Sequence, residues 1–295
     1  MDMIELEECK VESGRKFDLD SFPTTAGIDK ESRPEYERKL AENKARISAL
    51  QDKLYADGKE AVLIIFQAMD AAGKDSTIRK VLSGINPTGI DVYGFKQPST
   101  EDLKHGFLWR TFHSLPSRGK IAVHNRSHYE ECLVVRIDGL WRNYSLPDRI
   151  LDMDEKEYFE GHYRDINNFE RYLHDNGCRV VKFFLNVSAD KQKERFLERI
   201  DDEAKNWKFS SSDLATRAKW DDYRKAFQDT IAHTATSYAP WYVIPADRKW
   251  ETRWLVSEAI LQVLEDIDPQ YPEMPQSQKD MLADCRRTLM EEDAQ

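Results

Sequence analysis

Cysteine is scarce in this chain of 295 residues: Cys9, Cys132, Cys178 and Cys285 are scattered, with no C-x-x-C pair and no zinc-ligand spacing. That argues against a disulfide framework and suits a reducing compartment, with the four thiols acting as small buried apolar groups. Long apolar runs are missing too, and none approaches the ~20 residues that span a bilayer. The acidic start "MDMIELEECKVESGRK" lacks the basic-then-apolar order of a signal or transit peptide. A cytoplasmic protein without a membrane partner is the expectation. An excess of positive charge is also absent: 44 Lys and Arg face 54 Asp and Glu, a net charge of −10, which argues against a nucleic-acid partner.

What is present is unevenly placed. Between Lys74 and Arg142 there are 11 basic and 7 acidic residues, so the middle of an acidic chain is where an anion would settle. With 40% hydrophobic residues the length can bury one substantial core without splitting in two. Residues 1–35 read as a polar extension lying on the surface, 36–267 as the catalytic domain, and 268–295 as a Pro-rich connector and short helix that packs on a neighbouring subunit. Continuous apolar runs at 61–66, 120–125, 180–187 and 241–246, with a shorter one at 91–95, read as strands buried on both faces. Helical patterns at 101–115, 128–137, 154–176, 189–199, 218–237 and 249–266 separate them, and an amphipathic helix ending at Gly58 leads into the first. The alternation predicts an α/β fold, a doubly wound parallel sheet flanked by helices, with ligands at the carboxyl ends of strands. The charged segment 198–220 breaks the rhythm; it fits a helical lid centred on about 200–220 and equally a charged hairpin packed on the rim.

The stretch "FQAMDAAGKDST" after the first strand is a degenerate phosphate loop. In the Walker pattern, glycines let backbone N–H groups approach phosphate, a Lys neutralises it, and the helix N-terminus adds its dipole. Here Gly73 and Lys74 are kept, Ala68 stands for the first Gly, and Asp75 stands for the usual hydroxyl. A plain structural turn is the competing reading. A carboxylate beside bound phosphate is repelled unless a cation lies between, so Asp70 is expected as a magnesium ligand or as an acceptor from a metal-bound water. Asp75, in the first helical turn, is expected only to meet the helix dipole. The second constellation, "VHNRSHYEECLVVR", leaves a strand end with Asn125, Arg126, Glu130 and Glu131. Arg126 is placed to stabilise a transferring phosphoryl group, a surface salt bridge being the alternative. Of Glu130 and Glu131 one should face in and the other out. His124 and His128 lack a ligand partner at metal spacing and read as packing histidines. Arg195 and Arg199, four apart on one helix, suit a clamp on a polyanion, against the alternative of pairing with Glu194 and Glu198.

Five linked segments together resemble the type-2 polyphosphate kinases: "DAAGKDSTIRKVLSGINPTGIDVYGFKQPSTEDLKHGFLWR", "NRSHYEECLVVR", "FERYLHDNGCRVVKFFLNVSADKQKERFLER", "NWKFSSSDLATRAKWDDY" and "TSYAPWYVIPADRKW". The resemblance spans roughly Tyr36 to Leu264. It implies a P-loop kinase fold with inorganic polyphosphate as donor, magnesium as cofactor and a nucleotide as acceptor, with AMP, ADP and ATP as nucleotide partners, in a homo-oligomeric dimer or tetramer. It also implies roles: Asp70, Lys74, Arg126 and Glu131 catalytic; Ala71, Ala72, Gly73, Lys74, Arg195, Arg199 and Lys208 for polyphosphate; Asn125, Arg126 and Glu131 for the nucleotide; Asp70 and Glu131 for the metal. The lid's "WK" falls on Trp207 and Lys208. The "NRSHYE" form resembles the branch that uses AMP as well as ADP. Ala68, Ser76 and Asn125 depart from residues common in the family. An ATP-dependent kinase of a nucleotide or small metabolite would share the loop and arginines; a non-catalytic phosphate sensor would have little reason to keep all four catalytic candidates together.

Overall fold

The computed structural model describes residues 3–292. Its centre is a six-stranded sheet in the order β1-β6-β5-β2-β4-β3, made of β1 (Lys10–Val11), β2 (Ala61–Ala68), β3 (Ile90–Gly94), β4 (Ile121–Asn125), β5 (Cys178–Asn186) and β6 (Trp241–Pro245). All neighbours are parallel except β1, which runs antiparallel to β6 with Lys10 opposite Tyr242. The apolar runs explain the middle of this order: every residue of β2 and β6 is buried, as a strand covered on both faces requires. The edge strand β3 is half-buried at Ile90, Asp91 and Tyr93 and exposed at Val92 and Gly94.

The helices are α1 (Arg33–Asp57), α2 (Lys74–Val81), α3 (Glu155–Asp175), α4 (Ala189–Asp201), α5 (Ser211–Ala218), α6 (Trp220–Thr234), α7 (Lys249–Ile267) and α8 (Gln276–Glu292), besides single turns. α1 ends where Gly58 takes a left-handed conformation (φ 63°), which glycine adopts without steric cost. α7 packs against α1 and α2 on one side of the sheet, and α3 and α6 against each other on the opposite side.

Four expectations need correction. The extension expected over 1–35 does not, in its described residues, merely lie on the surface: Cys9, Val11, Leu19, Ala26 and Ile28 are buried in the core, and β1 extends the sheet. The segment 101–115 is not one helix but a 3-10 turn at Asp102–Lys104 and a single turn at Trp109–Phe112, separated by Gly106, whose chain is costly to order in a helix. The segment 128–137 is a 3-10 helix, His128–Cys132, and a turn, Val134–Ile137, broken at Leu133 (φ −113°, ψ −100°). Cys285 is exposed on α8, every residue of which faces solvent, whereas the other three cysteines are buried.

Candidate active site

The register of the sheet brings the two sequence constellations together. Phe66 of β2 lies opposite Asn125 of β4, so the loops leaving the two strands emerge side by side, and Arg126 N–H donates to Phe66 O at 3.0 Å. In the first loop the left-handed positions are Ala71 (φ 58°) and Gly73 (φ 106°). A side chain on Gly73 would be strained by that φ and would come 3.4 Å from Ser76 Oγ. Lys74, first residue of α2, is buried and folds back to donate from Nζ to Ala68 O at 3.1 Å. Burial, helped by the neighbouring Arg126, pushes its ammonium down to about 8.

Arg126 also has a left-handed backbone (φ 64°), an uncommon state for a residue with a Cβ that costs of order 1–3 kcal/mol. The geometry aims its guanidinium into the loop pair, where it donates to Asp70 Oδ1 at 2.7 Å and to Glu130 Oε2 at 3.0 Å. Glu130 and then Asp70 hold its charge more firmly than usual. The surface salt bridge weighed for Arg126 is thus a two-carboxylate bridge across the mouth of the site. Asn125 Nδ2 donates to Asp75 Oδ1 at 2.6 Å, which ties the strand end to the first turn of α2.

Glu130 and Glu131 do not split inward and outward. Both line one cleft of about 650 Å³ with Asp70, Arg126, Arg110, Tyr144 and Asp213, and they stand on a 3-10 helix rather than the α-helix expected. Glu131 is the more buried, accepts weakly from Tyr144 OH at 3.3 Å, and is pushed up to about 7 by burial. On the far wall Asp213 of α5 is held above its ordinary range by burial and by Asp70. The residues that sequence reasoning missed as cleft walls are Arg110, Tyr144 and Asp213. Arg110 ends the first of the family-like segments but was given no role there; it is fixed by a bond to Lys96 O at 2.8 Å and by the face of Phe95.

Arg195 is buried and spends its two terminal nitrogens on four carbonyls, Ala71 O (3.0 Å), Ala72 O (2.8 Å), Ala246 O (2.7 Å) and Asp247 O (3.1 Å). It therefore braces the loop from behind. Arg199, one turn on, is half-buried and lies 3.7 Å from Asp213. Neither pairs with Glu194, which takes Lys191. The segment proposed as a lid is α5 and the turn Asn206–Lys208; Ser212, Asp213 and Thr216 line the cleft, and Arg217 anchors α5 to Ala189 O and Gln192. Trp207 is exposed at its tip, and the side chain of Lys208 lies outside the described residues. His124 and His128 are buried, as expected of packing histidines; His124 meets Ser114 O at 3.0 Å.

Among the described residues no three carboxylate, histidine or cysteine side chains converge as a preformed metal cage. The oxygen donors around the cleft nevertheless suit a hard cation of the magnesium type, which uses one or two carboxylates and completes its shell with phosphate oxygens and water.

A parallel sheet, a Gly-Lys loop feeding a helix, an arginine at the adjacent strand end and a helical segment over the cleft define a P-loop phosphotransferase. The family model described as Polyphosphate kinase 2 matches residues 30–272. The chain is 45% identical over 288 residues, 97% of its length and 99% of the relative's, to an ADP-polyphosphate phosphotransferase of Rhodopseudomonas palustris. It is 39% identical to an AMP/ADP-polyphosphate phosphotransferase of Meiothermus ruber, over 91% of this chain and 96% of that one. The crystal structure of a polyphosphate kinase 2 from Arthrobacter aurescens superposes with a TM-score of 0.81 at 32% identity, covering 96% of this chain and all of that one. The chain belongs to the polyphosphate kinase 2 family. Among the described residues no helix is long and apolar enough to cross a membrane.

Proposed function

We propose that this protein moves the terminal phosphate of inorganic polyphosphate to AMP and to ADP, giving ADP and ATP in a reversible reaction. The observation that carries the reading is the guanidinium of Arg126, held between Asp70 and Glu130 at the mouth of the loop that presents Lys74. Two polyanions must meet for phosphate to pass between them, and fixed cations at the point of contact lower the barrier mainly by positioning and electrostatics. Lys74 and the backbone N–H groups of Ala71, Ala72 and Gly73 cradle the donor's terminal phosphates. Arg126 faces the equatorial oxygens of the group in flight, its planar fork exchanging the carboxylates of Asp70 and Glu130 for phosphate oxygens. Arg195 keeps the loop in shape for that contact, while Arg199 of α4 approaches the donor.

Asn125, Arg126 and Glu131 receive the acceptor's phosphate, with Asp70 and Glu131 as the carboxylates that would hold magnesium. A magnesium ion held there would supply positive charge against the two polyanions. The names of the relatives support both AMP and ADP as acceptors. A homo-oligomer, dimer or tetramer, is part of the proposal.

The direct test incubates purified protein with magnesium, long-chain polyphosphate and AMP, without ATP, and follows nucleotides by chromatography. ADP and ATP should both appear. ATP formed only when ADP replaces AMP would restrict the acceptor, and no product from either would refute the reading.

A further inference from the structure

The phosphate loop turns three successive carbonyls toward α4. Ser188 caps that helix, its Oγ accepting from Lys191 N–H at 3.2 Å, and Gln192 and Arg195 on the buried face of the first turns meet the loop together. Gln192 Nε2 donates to Asp70 O at 3.0 Å, beside the bonds from Arg195 to Ala71 O and Ala72 O. In a planar trans peptide a carbonyl points opposite to the N–H that follows it. The N–H groups of Ala71 and Gly73 are therefore turned away from α4, as a cradle for phosphate needs.

Gln192 also holds α5. Its Oε1 accepts from Arg217 Nη1 at 2.8 Å, and the same nitrogen donates to Ala189 O at 2.8 Å. A guanidinium only donates and a carbonyl only accepts, so the amide has one orientation. Gln192 is fully buried, and a buried amide that loses a partner loses free energy. One side chain thus joins Asp70, whose carboxylate receives Arg126 at 2.7 Å, to the helix whose Ser212, Asp213 and Thr216 wall the cleft. Among the described residues Arg217 makes no hydrogen bond to the loop itself.

We infer that Gln192 is a positioning residue that sets α5 and the phosphate loop in register for transfer. The inference rests on the phosphotransfer reading above and deepens it: the loop keeps the shape that presents Asp70 and its N–H groups while α5 stands at the cleft, and Gln192 carries the connection. Gln192 acts through Asp70 and Arg217, so its loss is felt in the chemical step more than in substrate binding.

The test takes kcat and KM for polyphosphate at saturating acceptor, and hydrogen exchange of the amides in 69–73, for wild type, Gln192→Met, Arg217→Met and the double variant. Gln192→Met keeps the side chain's length and loses both bonds; kcat should fall roughly tenfold with KM within about twofold. The double variant should be within about twofold of the slower single variant. Segment 69–73 should exchange faster in Arg217→Met than in wild type, and no faster in the double variant than in Gln192→Met. Effects on kcat that multiply, a change in KM with kcat kept, or exchange of 69–73 unmoved by Arg217→Met would overturn the coupling. Should Gln192→Met fail to fold, exchange of 69–73 in Arg217→Met decides it alone. Should wild type transfer no phosphate, the phosphotransfer reading fails, and the same exchange comparison decides the coupling separately: faster exchange sustains it, and unchanged exchange overturns it.

Discussion

Two of the molecule's cation–carboxylate bridges, one at the cleft and one in the core, differ in their access to water. At the cleft, Arg126 joins Asp70 and Glu130 with side-chain exposures of 38%, 19% and 13%. Beneath it, Lys182 of β5 meets Glu170 of α3 with both side chains at 0%. That inner lysine also donates to Tyr129 OH at 3.1 Å and Thr234 O at 2.8 Å, and Tyr129 OH donates to Glu170 at 2.7 Å. The 3-10 helix His128–Cys132 links the two sites, sending Tyr129 inward and Glu130 and Glu131 to the cleft. A sealed pair has no room for a reactant and can only hold the backbone in place. An open one can exchange its partners for phosphate.

The predictions that would break this contrast begin with the largest. Lys74→Ala should lower kcat/KM at least about a thousandfold, some 4 kcal/mol of transition-state stabilisation, with an unchanged circular dichroism spectrum. Near-normal turnover would remove the loop from the chemistry. Glu170→Ala, which strands a buried ammonium, should cost about 3–5 kcal/mol in chemical denaturation, and Glu170→Leu with Lys182→Met should restore much of it, since a packed apolar pair can replace a sealed ionic one. A loss under 1 kcal/mol in the single variant would mean that the inner pair holds nothing.

Acid should loosen the inner layer next. Burial pushes His124 down to about 4 and lowers His128 as well. Between that range and the ordinary value near 6.5 the unfolded chain binds protons that the fold refuses. Stability is therefore complete above about pH 6.5 and falls as pH drops, by up to about 1.4 kcal/mol per pH unit for each histidine, as urea titrations from pH 7 to 5 would register. The smallest effect sharpens the cleft's side of the comparison: Glu131→Asn should raise the KM for AMP roughly tenfold with a smaller change for the donor, and unchanged AMP kinetics would exclude Glu131 from the acceptor site.

Legibility in the sequence followed the same division. The continuous apolar runs announced four of the six strands, because burial on both faces leaves a local signature, and the shorter run at 91–95 marked the edge strand β3. β1 escaped notice, since two residues pairing at an edge carry no pattern. The loop Asp70–Lys74 and the pair Asn125–Arg126 were visible as motifs, but their union depends on Phe66 standing opposite Asn125, which is a property of register. Arg195 looked free because its four acceptors are backbone carbonyls, and carbonyls have no residue type to read. Lys182 drew no notice inside the apolar run 180–187, and its partner Glu170, 12 residues away on a helix, could be matched only in three dimensions.

The most direct test of the central claim, that the open bridge serves transfer and the sealed one serves the fold, is to measure kcat/KM and Tm together for Arg126→Ala and Lys182→Met. The account predicts that Arg126→Ala loses at least about a hundredfold in kcat/KM with its Tm within about 3 °C of wild type, while Lys182→Met shows the larger fall in Tm. Arg126→Ala melting early with its activity intact would contradict it.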